Sequence, residues 1–140
     1  MTFLKRILLV DYEPRVTATV RAALEKTGKY LIKVERDSRM ALKAARWFQP
    51  DLILFDVMTG CSDAGLIARQ LQADGSFKDT PVVFLSMNGS SDGGALSGGV
   101  LNGYSFLANP VRVEEVVRCV AELLSPATAR RATARFATAR

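Results

Sequence analysis

Residues 50–58, Pro-Asp-Leu-Ile-Leu-Phe-Asp-Val-Met, decide the fold. Leu52–Phe55 is a wholly apolar run that ends on an acid, Asp56. A short run with no polar alternation suits a strand covered on both faces, as in a parallel sheet with helices on either side. The same design occurs upstream, where Ile7-Leu-Leu-Val10 ends on Asp11.

Helix and strand patterns alternate outward from these two runs. Val16, Val20, Ala23 and Leu24 recur at helical spacing after Pro14, and Gly28 closes that element. Tyr30–Glu35 begins apolar and then alternates, which predicts a half-exposed edge strand. Ser38 is placed to cap a second helix carrying Ala41, Leu42, Ala45 and Phe48, stopped before Pro50. Thr59–Asp63 leads into a helix with Ala64, Ile67, Ala68 and Leu71 on one side. Pro81–Leu85 ends in Ser86, and Ser105–Ala108 ends in Asn109-Pro110. Val113, Val116, Val117, Val120 and Leu124 mark a last helix. Five strands alternating with helices predict an α/β domain with a doubly wound parallel sheet.

One stretch departs from the pattern. Six of the ten glycines lie between Gly89 and Gly103, where a fourth helix is due. Glycines 93, 94, 98 and 99 oppose a helix by about 3–4 kcal/mol, so a short, frayed helix is expected there, as the least ordered part of the folded body.

At 140 residues the chain has the size of one domain, and 49% apolar with 24% charged residues is a globular balance. The domain is expected over residues 1–124, with 125–140 as a basic, low-complexity and disordered tail repeating Ala-Thr-Ala-Arg. That tail carries four arginines and no acid, leaving 15 basic against 14 acidic residues elsewhere. The basic balance therefore gives no reason to expect nucleic acid on the folded body. No apolar run approaches the roughly 20 residues of a membrane span, and the N-terminus lacks a secretory layout, so a cytoplasmic protein is expected. There is no histidine, which removes the Ser-His-Asp and Cys-His catalytic arrangements. Cys61 and Cys119 are too few for a disulfide framework and are expected to be reduced.

In an open parallel sheet, ligands bind beyond the carboxyl ends of the strands. Asp11, Asp56, Ser86 and Asn109 occupy four such ends and are expected to converge on one pocket. Paired carboxylates beside a hydroxyl suit Mg²⁺, and a carboxylate is also a nucleophile toward phosphorus.

The ordered motifs Ile7-Leu-Leu-Val-Asp-Tyr-Glu-Pro14, Pro50–Met58, Pro81–Ser86 and Phe106-Leu-Ala-Asn-Pro-Val111 resemble the receiver domain of two-component response regulators, over about residues 5–124. The resemblance implies a flavodoxin-like sheet of order 2-1-3-4-5, with Tyr30–Glu35 at an edge. It implies that a histidine kinase or a histidine phosphotransfer protein donates a phosphoryl group to Asp56. It implies Mg²⁺ held by Asp11, Asp56 and the backbone carbonyl of Met58, and a switch in which Ser86 and Phe106 turn inward. It also implies a tight cis bend at Asn109-Pro110.

Two positions depart from the family. Tyr12 stands where a second acid usually holds the metal, and Glu13 is poorly placed to replace it. Asn109 stands where a lysine neutralises the phosphoryl group; an amide donates a hydrogen bond but no charge. The two losses cancel in net pocket charge, so they bear on catalysis and not on folding. Weak or no Mg²⁺ binding is therefore expected. The competing function is a pseudo-receiver, an interaction module that works without phosphate. A flavin or nucleotide binder of similar topology would want glycines where Asp11-Tyr-Glu-Pro14 stands. With about 120 residues used by the domain, an attached output domain is not expected.

Overall fold

The apolar runs form a single sheet. A computed structural model describes residues 4–11, 17–56, 63–85, 99–101, 104–106 and 112–125. The strands β1 (Lys5–Val10), β2 (Tyr30–Glu35), β3 (Leu52–Asp56), β4 (Val82–Leu85), β5 (Gly99–Leu101) and β6 (Tyr104–Phe106) lie in the order β2-β1-β3-β4-β6-β5. The first five positions of that order are parallel throughout, and β5 joins β6 antiparallel. The five parallel strands thus stand in the expected 2-1-3-4-5 arrangement, with one short strand added at the edge. Tyr30–Glu35 takes the opposite edge, as its alternation predicts.

The helices α1 (Ala18–Lys26), α2 (Ala41–Phe48), α3 (Asp63–Ala73) and α4 (Val113–Leu124) cover both faces. Alternate residues of each strand divide between two cores. Leu8, Val10, Ile53, Phe55, Val82 and Phe84 pack with Ala45 and Phe48 of α2 and with Ile67 and Leu71 of α3. Ile7, Leu9, Leu52, Leu54, Val83 and Leu85 pack with Val20 and Leu24 of α1 and with Val116 and Val120 of α4. Because neither face is left to water, the central strands need no polar positions. The Phe55 and Phe84 rings meet at 5.8 Å between centroids, tilted by 38°.

Two local expectations change. The short helix expected over residues 89–103 gives way, over Gly99–Leu101, to strand β5. It pairs antiparallel with β6, Leu101 opposite Tyr104. The rest of the glycine-rich segment, and with it the expectation of least order, lies outside the described residues. Ser38 does not cap α2. It begins a single 3-10 turn, Ser38–Met40, whose cap is Asp37: the Arg39 amide donates to Asp37 Oδ1 at 2.9 Å. Asp37 is an equally good cap, and the extra turn moves the helix start to Ala41. Finally, α2 stops before Pro50 as expected, through a left-handed Gln49 at φ 54° whose amide donates to the Ala45 carbonyl at 2.7 Å. Among the described residues no helix is long and apolar enough to cross a membrane.

Candidate functional site

Parallel pairing of β1 with β3 sets Val10 opposite Phe55. The next residue of each chain, Asp11 and Asp56, therefore falls at the same carboxyl end of the sheet. Both are buried, at 0% and 7% exposure, and with Thr17 they are the buried polar residues among those described. Asp11 is anchored through its backbone, its amide donating to the Glu35 carbonyl at 2.9 Å. Its side chain is held by Thr17, whose hydroxyl donates to Asp11 Oδ2.

Asp56 is poorly satisfied. Its Oδ2 is buried with no hydrogen-bond partner among the described residues. Burial, then a hydrogen bond to and the charge of Asp11, push the Asp56 carboxyl up from 3.8 to about 7. Burial beside a second acid disfavours the charged form, so Asp56 holds its proton more readily than an exposed carboxyl does. A buried oxygen without a partner is costly unless something outside the protein completes it.

That corner fits a hard cation in its donor chemistry, because it offers two carboxylates, one of whose buried oxygens has no partner among the described residues. Among the described residues no group of three or more His, Cys, Asp or Glu side chains assembles.

The other expected site residues divide as follows. Phe106 lies in β6 with its backbone opposite Phe84, hence one strand beyond the β4 end. Tyr12, Glu13, Met58, Cys61, Ser86, Asn109 and Pro110 lie outside the described residues, as does the expected cis bend. Sequence reading missed Thr17. It falls between Val16 and Val20 of the apolar repeat, where the sequence pattern reads as helix interior, whereas α1 starts only at Ala18 with Thr17 before it; nothing in the pattern signals its reach back to Asp11. Cys119 is a free, half-buried thiol, pushed up to about 11 by burial and then by Glu122, which keeps it protonated and unreactive.

Known proteins agree with this geometry. The response regulator Rre1 of Synechocystis is 30% identical over 124 residues, covering 85% of this chain and 51% of Rre1. The chain thus spans about half of that relative's length. The protein PilH of Pseudomonas aeruginosa is 26% identical over 120 residues, covering 86% of this chain and 98% of PilH. Among solved structures, the receiver domain of NtrC4 from Aquifex aeolicus superposes with a TM-score of 0.64 at 27% identity, over 84% of this chain and 94% of that one. No family model matches the chain. In fold, strand order and sequence the chain is thus similar to the receiver domains of response regulators.

Proposed function

We propose that this chain is a phosphorylation-receiving signalling domain with Asp56 as phosphoacceptor and a weakened metal and phosphate pocket. The observation that carries the reading is the buried Asp11–Asp56 pair, in which Asp56 Oδ2 has no partner among the described residues. In the transfer step an Asp56 carboxylate oxygen attacks the phosphorus of a phosphohistidine. The P–N bond breaks, the donor imidazole keeps the electron pair and takes up a proton, and an acyl phosphate forms on Asp56. The donor is a histidine kinase or histidine phosphotransfer protein.

Only the ionised carboxylate is a nucleophile, so a group pushed up to about 7 is partly idle at neutral pH. Mg²⁺, when bound, would supply positive charge that keeps both acids ionised and offsets the phosphoryl oxygens. Asp11, Asp56 and the Met58 carbonyl would hold it. Ser86 and Phe106 would report the modification by turning toward it. Tyr12 and Asn109 withdraw one ligand and one cation from this scheme, which makes phosphorylation slow and Mg²⁺ affinity low. The receiver occupies residues 1–124, with 125–140 as a basic extension. It acts in the cytoplasm by docking on a downstream protein and not by catalysis, and its folded body binds no nucleic acid.

The burial of Asp56 beside Asp11 also favours a second reading. With the Asp56 carboxyl pushed up to about 7, its neutral form lets the pocket stand without metal, which suits a phosphorylation-independent interaction module. Incubation with a phosphorylated histidine phosphotransfer protein and Mg²⁺, followed by intact mass, separates the two. One added phosphoryl group, lost in Asp56→Asn, supports the first reading. No addition under any donor supports the second.

A further inference from the structure

Thr17 is the residue preceding α1, the position where a threonine hydroxyl ordinarily accepts a hydrogen bond from the first turn of its own helix. Here it makes no such bond. Its carbonyl still starts the helix, accepting from the Arg21 amide at 2.9 Å, but its hydroxyl donates to Asp11 Oδ2. The residue is 1% exposed and Asp11 is 0% exposed, so water does not serve either group freely. The helix cap is given up for a hydrogen bond to a buried acid.

We propose that Thr17 is a positioning residue for the Asp11 carboxylate, fixing its plane so that the acid presents a set face toward Asp56 and a bound cation. This rests on the reading of Asp11 and Asp56 as cation ligands. A ligand carboxylate tied down by an outer hydrogen bond loses less freedom on binding and keeps its orientation, and such partners affect metal affinity out of proportion to their size. In a pocket where Tyr12 takes the place of an acid, Asp11 is the carboxylate that the end of β1 supplies. Its orientation therefore governs how much cation binding survives.

The test is a titration of the full chain with MgCl₂, followed by the amide chemical shifts of Val10 and Phe55, for the natural protein, Thr17→Ser, Thr17→Val and Asp56→Asn. Melting temperature in EDTA records the structural part of each change separately. The expected result is a saturable shift lost in Asp56→Asn, about tenfold or more weaker in Thr17→Val, and held within about threefold in Thr17→Ser. Should Thr17→Val fail to fold, Thr17→Ala takes its place. Natural affinity in Thr17→Val, or equal weakening in Thr17→Ser and Thr17→Val, overturns the proposal and leaves Asp11 and Asp56 as ligands. No Asp56-dependent shift in the natural protein overturns the ligand reading and the proposal with it.

Discussion

Asp11 and Asp56 sit side by side at the end of the sheet because β1 and β3 pair in parallel with Val10 opposite Phe55. Each lies one step past a run of buried apolar residues, so the same chemistry that drives the strands inside carries the two acids to the rim with them. One of the four oxygens of this pair, Asp56 Oδ2, is left without a partner among the described residues. A fold does not ordinarily keep such an arrangement unless a ligand or a modification uses it.

A pH dependence follows. Asp56 titrates near 7 when folded, above its ordinary 3.8, so folding favours the protonated form. The stability this contributes is complete below about pH 4 and is lost as pH rises to about 7. In metal-free buffer, Asp56→Asn should therefore gain on the natural protein in urea midpoint from pH 5 to 7, at up to about 1.4 kcal/mol per unit, and level off beyond. Asp37, lowered by Arg39, and Asp74, lowered by the Ser76 amide and then by Arg46, act the opposite way at acid pH. Both are present in either protein and cancel in the difference. A gap that stays constant with pH would contradict the account of the pair.

Two helix ends predict substitutions of opposite sign. Gly28 closes α1 at φ 73°, and a Cβ added there meets nothing within 4 Å. Gly28→Ala should thus cost about 1 kcal/mol through backbone strain alone. Gln49 closes α2 at φ 54° with a side chain that strains the same conformation. Its amide side chain returns something by donating to the Arg46 carbonyl at 2.8 Å. Gln49→Gly should raise stability by about 0.5 kcal/mol, measured by chemical denaturation.

Truncation after Ser125 should leave the denaturation midpoint unchanged within about 0.5 kcal/mol. The buried face of α4 is complete at Leu123, and the Ser125 amide already donates to the Glu122 carbonyl at 3.3 Å. A large loss would place part of the core in residues 126–140.

Much of this was legible from residues. The parallel sheet declared itself in Ile7–Val10, Leu52–Phe55 and Val82–Leu85, since only strands buried on both faces can be so uniformly apolar. Asp11 and Asp56 followed, because an acid directly after such a run lands at the ligand-binding edge. What escaped was short-range competition. Asp37 and Ser38 are both good caps and sequence does not rank them. The glycines of residues 89–103 argued against a full helix, but glycine cost alone does not point to a strand, and β5 over Gly99–Leu101 escaped. Thr17 escaped because the apolar repeat reads it as helix interior, and only tertiary contact with Asp11 selects the use of its hydroxyl.

The most direct test compares phosphorylation rates of the natural chain with those of the double variant Tyr12→Asp, Asn109→Lys. Both are incubated with acetyl phosphate and Mg²⁺ and followed by intact mass. Positive charge around the transferring group stabilises the transition state, and each lost contact of this kind is worth about 10²–10³ in rate. The double variant should therefore take up one phosphoryl group on Asp56 at least about a hundredfold faster than the natural chain. Rapid stoichiometric labelling of the natural chain, or no labelling of either protein, would contradict the account.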